Sequence, residues 1–157
     1  MTIASCARTF LSSACIVLVL FNSTYAMQVQ PQLPSLSPVT ITIDSTVPVG
    51  AYQLTIEFDR NYLRLDQSKI TVGAAIGFAQ SPLTVSVDNQ TGTLIISAFQ
   101  TRATPSGRLV VATLPFTAAA RGEAALRMKH VTVTDTNGRD AGSSARLALS
   151  ATTVRIQ

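Results

Sequence analysis

From residue 39 onward the chain alternates apolar and polar side chains with a period of two, the spacing of a half-buried strand. Val39-Thr40-Ile41-Thr42-Ile43 is the first such run. In the next, Tyr52, Leu54, Ile56 and Phe58 point one way, and Gln53, Thr55 and Glu57 the other. Further runs cover Tyr62 to Leu65, Ile70 to Val72, Leu83 to Val87, Thr93 to Phe99 and Arg108 to Ala118. Ala124 to Thr134 and residues 145–156 complete the series. The breaks between runs carry turn chemistry: Asp59-Arg60-Asn61, Asp88-Asn89-Gln90-Thr91-Gly92, Pro105-Ser106-Gly107 and Asn137-Gly138. About eight or nine short strands, with turns every ~8–12 residues, predict an all-β antiparallel sandwich or barrel. The Ala118-Ala119-Ala120 run is not read as a helix, because Leu114 and Phe116 continue the two-residue period and Gly122 interrupts. Leu54, Ile56, Phe58, Leu94, Ile96, Leu114 and Phe116 are the expected core.

The first 26 residues have a different pattern. Arg8 precedes a mainly apolar stretch at 10–21, FLSSACIVLVLF, followed by Asn22-Ser23-Thr24-Tyr25-Ala26. This is the layout of a secretory signal peptide spanning 1–26, with cleavage after Ala26 and Met27 as the mature N-terminus. The apolar stretch is shorter than the roughly 20 residues a spanning helix needs. Cys15 is a poor lipid-attachment site, since the main apolar run follows it. The expected destination is secreted, either extracellular or periplasmic. No second apolar run is long enough to cross a membrane, so no membrane span is expected after cleavage. Residues 27–38 are Pro-rich and polar, and read as an extended lead-in to a domain at 39–157.

Export changes the meaning of the composition. Both cysteines, Cys6 and Cys15, lie in the segment to be removed, so no disulfide or thiolate chemistry is expected in the mature chain. A 46% hydrophobic and 13% charged sequence is too apolar for a disordered chain and can build a core. The formal charge of +4 is spread along the sequence without a basic stripe, which argues against nucleic acid.

Catalytic groups are scarce. His130 has no orienting partner in the sequence. The acidic residues fall mostly in turns, where Asp bonds its own backbone, rather than as a facing pair suited to glycoside cleavage. Asp135-Thr136-Asn137-Gly138-Arg139-Asp140 places Arg at the fifth position and Gly at the fourth, against the calcium-loop pattern. The expectation is a non-enzyme with no cofactor and no metal. Trp is absent, which disfavours a strong planar sugar platform; Tyr52 and Tyr62 are the candidates for exposure.

Four segments, in order and at matching spacing, resemble the cohesin family. They are AYQLTIEFDRNYLRL at 51–65, GTLIISAF at 92–99, SGRLVVATLPFTA at 106–118 and VTVTDTNG at 131–138. The resemblance covers about residues 39–157 and implies a single antiparallel β-sandwich of jelly-roll or Ig-like topology. It implies a non-catalytic module that binds a dockerin-like protein partner, in a setting of polysaccharide degradation. The alternative is a carbohydrate-binding or cell-surface structural module on the same sandwich, with polysaccharide as partner. The resemblance also implies that strands 51–58 and 93–99 are neighbours. Their outward rows, Gln53, Thr55 and Glu57 with Thr93, Ile95, Ser97 and Phe99, would then merge into one partner-binding patch. The competing expectation is that the 73–82 loop, with Ile76 and Phe78, folds over that patch. A flat mixed face favours a protein partner; a groove with two exposed aromatics favours glycan.

Overall fold

The computed structural model describes residues 33–72, 84–99 and 106–157. The expected signal peptide, the Met27 terminus and the 73–82 loop lie outside the described residues.

Eleven strands form among the described residues: β1 (Val39–Ser45), β2 (Val49–Phe58), β3 (Leu63–Leu65), β4 (Thr71–Val72), β5 (Thr84–Asp88) and β6 (Thr93–Phe99), then β7 (Gly107–Leu114), β8 (Phe116–Ala118), β9 (Gly122–Asp135), β10 (Ala145–Leu149) and β11 (Thr153–Ile156). A single 3-10 turn, Gln67–Lys69, precedes β4. The strands assemble into a four-stranded sheet ordered β10-β1-β7-β4 and a five-stranded sheet ordered β11-β9-β2-β6-β5. β3 and β8 make a separate two-stranded ribbon. Every strand pairing is antiparallel. This is the all-β sandwich that the period-two pattern predicts.

The inward rows of both sheets meet in one apolar core. Ile41 and Ile43 of β1, Leu54 and Ile56 of β2, Leu94 and Ile96 of β6 and Leu114 of β7 have no accessible surface. The ribbon adds Leu63, Leu65 and Phe116. Phe116 packs edge-on against Phe58, with ring centroids 5.4 Å apart, a favoured aromatic geometry. All seven residues expected in the core are buried.

Three segments fold differently from the simple alternation. Residues 108–118 are two strands, because Pro115 lacks the N–H that would continue the ladder; β7 joins the four-stranded sheet and β8 the ribbon. Within β7 the register against β1 slips between Ile41 and Thr42, so Val111 is an extra residue and both Val111 and Ala112 are buried. Residues 145–156 are likewise two strands on opposite sheets, β10 beside β1 and β11 beside β9. The Asn137-Gly138 turn forms, with Gly138 at φ 75° and its N–H donating to Asp135. It is followed only by a single bridge from Thr134 to Asp140, after which the chain leaves the sheet. The lead-in makes one bridge of its own, Ser35 to Thr117 of β8.

The hairpin at 88–92 holds the end of β2. Gly92 adopts φ 73°, and its carbonyl accepts the Phe58 N–H at 2.8 Å. Beside it, the Asn89 side chain bridges both backbone groups of Leu65, accepting its N–H at 2.9 Å and donating to its C=O at 3.0 Å. The turn and the ribbon are thereby joined through one buried-edge amide.

Candidate partner-docking face

β2 and β6 pair in the register Gln53 to Ser97, Thr55 to Ile95 and Glu57 to Thr93, with Ala51 opposite Phe99. Strict alternation on both strands buries Tyr52, Leu54, Ile56 and Phe58 with Leu94, Ile96 and Ala98. The seven residues singled out in the sequence therefore lie together on the outer face of the five-stranded sheet. Gln53 is exposed, and Thr55, Glu57, Thr93, Ile95 and Ser97 are half-buried by their strand neighbours. Phe99 is 43% exposed, although it is among the larger apolar side chains.

The structure adds residues from two further strands to this face. β9 places Thr132 beside Gln53, His130 beside Thr55 and Arg127 beside Glu57. β5 places Thr84, Ser86 and Asp88 beside Ser97, Ile95 and Thr93. The β9 residues are hard to find in the sequence, because its register slips opposite Thr55 and Ile56. Before the slip, Ala124 and Leu126 point inward; after it, Val133 does. The change of parity hides which of Lys129, His130 and Val131 faces out. The β5 residues are legible, since Val85 and Val87 alternate cleanly with them.

The face is mostly hydroxyl and amide, with a charged end and an apolar end. At the charged end Lys129 pairs with Glu57 at 3.5 Å, both about half exposed. His130 is exposed, with one ring nitrogen 3.4 Å from the Thr132 hydroxyl. Asp88 closes the β5–β6 hairpin; hydrogen bonds from Thr91 and the Gln90 N–H hold its carboxyl below the usual range. At the apolar end is a shallow depression of about 300 Å³ whose rim includes Ala51, Phe99, Thr132 and Thr134. Tyr52 lies on the inner side of β2, where burial pushes its phenol up. Its expected exposure is thus corrected: position 52 shares the parity of Leu54 and Ile56 and is 3% exposed. Tyr62 is half-buried.

Among the described residues no three His, Cys, Asp or Glu side chains gather as metal ligands. In the segment with a superficial likeness to a calcium loop, Asp135 accepts the N–H groups of Asn137 and Arg139 at 2.8 and 2.9 Å. Asp140 accepts that of Gly142 at 2.8 Å. Both carboxylates shape the turn. Phe99 is the one exposed large aromatic on this face among the described residues.

No protein-family model and no curated protein matches the chain. Solved structures do. The non-cellulosomal cohesin of the archaeon Archaeoglobus fulgidus superposes with a TM-score of 0.55 at 19% identity, over 71% of this chain and 75% of that one. A chain of the CaDoc0917–CaCohA2 complex gives 0.54 at 22% identity, over 66% and 77%. The sixth cohesin of Acetivibrio cellulolyticus scaffoldin B, solved with a Cel5 dockerin, gives 0.51 at 15% identity, over 69% and 84%. The sandwich built by these eleven strands is a cohesin-like fold.

Proposed function

We propose that this chain is an exported, non-catalytic binding module that docks a dockerin-like protein on the outer face of its five-stranded sheet. The carrying observation is the outward row of β6, where exposed Phe99 at one end and half-buried Ile95 near the middle stand among Ser, Thr and Gln side chains. An apolar pair ringed by polar groups is how an interface core presents itself before the partner arrives. Solvated apolar surface on a monomer is a standing cost that a partner removes. Gln53, Thr55, Glu57, Thr93 and Ser97 form the polar surround, and Arg127 and His130 extend it onto β9. Two cohesin-like neighbours in fold were solved as complexes with dockerins, which supports a protein partner of that kind. A place in polysaccharide degradation belongs to the same reading. So does export through the 1–26 signal, with delivery outside the cell or to the periplasm.

The test is the double substitution Ile95→Asp with Phe99→Ser in the secreted chain. Melting temperature is measured alongside retention of dockerin-bearing proteins, identified by mass spectrometry, from the source's secreted fraction. An unchanged melting temperature with lost retention is expected. Unfolding of the variant would place the row in a second core, and unchanged retention would move the docking site elsewhere.

A further inference from the structure

Away from the docking face, three depressions adjoin in a line along the turn after β2 and the β3–β8 ribbon. The first, of about 610 Å³, is lined by Arg60, Asn61, Arg64, Asn89 and Gln90, without an apolar or acidic side chain. The second, of about 360 Å³, shares Arg64 and Asn89 and continues past Asp66 to Thr117. The third, of about 670 Å³, shares Thr117 and reaches Lys69 and the lead-in at Ser35. Three cations, Arg60, Arg64 and Lys69, thus follow one another along a single track.

We propose that this track binds an acidic polysaccharide, a chain of sugars carrying carboxylate or sulfate groups. Its two arginines are pinned by the backbone. One Nη of Arg60 donates to the Gln90 carbonyl; one Nη of Arg64 donates to the carbonyls of Arg60 and Leu63. Those acceptors are neutral, so the hydrogen bonds themselves cancel no charge. Neither guanidinium has a carboxylate within salt-bridge distance among the described residues. Each keeps further N–H donors in a planar fork that fits an oxyanion. Asp88, in the adjoining hairpin, feels the Arg60 charge only as a minor influence without forming a salt bridge, and its carboxylate is engaged chiefly by Thr91 and the Gln90 N–H.

The middle of the track favours sugar over a simple polyanion. Asp66 lies there, 3.7 Å from Lys69 and bonded to Ser68. An ionised carboxylate accepts only, so it repels a continuous run of anions but receives sugar hydroxyls. Donors for acid groups at both ends, with an acceptor between them, match a polymer that alternates charged groups and hydroxyls. No aromatic lines the first two depressions, so binding rests on charge and hydrogen bonds and weakens with salt.

The experiment is calorimetric titration of the full chain with oligogalacturonate at low salt. Parallel titrations use sulfated dextran oligomers, fully methyl-esterified oligogalacturonate and poly-glutamate. Binding of one or both acidic glycans, with none of the esterified sugar, is expected; the first two arms tell carboxylate from sulfate. Arg60→Gln with Arg64→Gln should weaken it about tenfold or more, the scale of lost charge-assisted bonds. Lys69→Gln, at an exposed side chain that leaves the fold intact, should weaken it by a smaller factor. Arg64→Lys should bind less than the parent despite equal charge, because the fork is gone. Arg108→Gln, remote on β7, should bind as the parent does. No binding of either acidic glycan, equal binding of poly-glutamate, full affinity in Lys69→Gln and Arg64→Lys, or equal weakening by Arg108→Gln would each overturn the proposal. The docking-face reading stands or falls separately, since none of these residues lies on that face.

Discussion

The two sheets expose outer faces of opposite character. On the four-stranded sheet, β1 turns Thr40, Thr42 and Asp44 outward. Asp44 sits in register between Arg108 of β7 and Arg146 of β10. Thr42 is flanked by Val110 and Ala148 and is only 5% exposed. No large apolar side chain is exposed on this face among the described residues. The five-stranded sheet also carries an outward polar row, yet that row contains Ile95 and exposed Phe99. Both faces obey the same period-two rule. What separates them is whether the outward row holds apolar anchors within a polar field, and the proposed docking face rests on that difference.

The comparison requires the face and the core beneath it to be energetically distinct. Phe58 faces inward from β2, 4% exposed and packed on Phe116. Phe58→Ala should cost about 3–5 kcal/mol, the range for a buried Phe, read by denaturant unfolding. A loss below about 1 kcal/mol, as for a surface change, would reverse the assignment of the two faces of β2.

A smaller effect is expected at the β5–β6 hairpin, which lies at the edge of the five-stranded sheet and holds the end of β2. A Cβ on Gly92 would lie 2.2 Å from the Phe58 carbonyl oxygen, at φ +73°. At Gly138, with φ +75°, a Cβ meets nothing within 4 Å. Gly138→Ala should therefore show only the left-handed backbone penalty, about 1 kcal/mol. Gly92→Ala should exceed it by roughly 1–2 kcal/mol, because backbone must also shift. Equal unfolding midpoints in the two variants would mean that the β5–β6 hairpin is not held against the end of β2.

The difference between strands also sets what the sequence reveals. β2 and β6 alternate without a break over their pairing, so inward and outward rows are legible from residue type alone. The seven residues of the candidate face follow from that parity plus the resemblance that makes the strands neighbours. β9 is not legible in the same way. Its slip opposite Thr55 and Ile56 reverses the parity between Leu126 and Val133, and nothing in Arg127-Met128-Lys129-His130-Val131 marks the extra residue. β7 conceals its slip similarly, since Val111 and Ala112 are both apolar and both buried. The sheet switch at Pro115 is visible as a missing N–H, but the sheet that β8 joins is decided by long-range packing. The arginine track is invisible because its parts come from the 60–69 turn, the 89–90 turn and β8, which only the fold brings together.

The contrast of faces can be tested by matched surface changes. Arg146→Ser on β10 alters the charged face, and Ile95→Asp with Phe99→Ser alters the mixed one. Both should leave unfolding free energy within about 1 kcal/mol of the parent, as expected of surface positions. Only the second should abolish retention of the dockerin-like partner. Retention lost in Arg146→Ser and kept in the other variant would assign docking to the four-stranded sheet.

The smallest expected effect concerns pH, and it lies in the turns. Asp66, Asp88 and Asp135 all have carboxyls held below the ordinary range. The leading causes are the Ser68 side chain for Asp66, the Thr91 side chain for Asp88 and the Arg139 N–H for Asp135. A carboxyl whose folded pKa is depressed stabilises the fold above its unfolded value, about 3.9 for Asp. That contribution is lost as pH falls through the folded value. Unfolding free energy should therefore be level near neutrality and decline below about pH 4. Asp135→Asn keeps an oxygen that can accept the Asn137 and Arg139 N–H groups, but it cannot titrate. Its deficit against the parent should be largest at neutral pH and shrink as pH falls below about 4. Because Asp135 is the last residue of β9, opposite Val49 and beyond the Gln53–Glu57 and Thr93–Phe99 rows, partner retention at neutral pH should be unaffected. A deficit that stays constant down to pH 2 would show that the turn depends on the shape of the side chain and not on its charge.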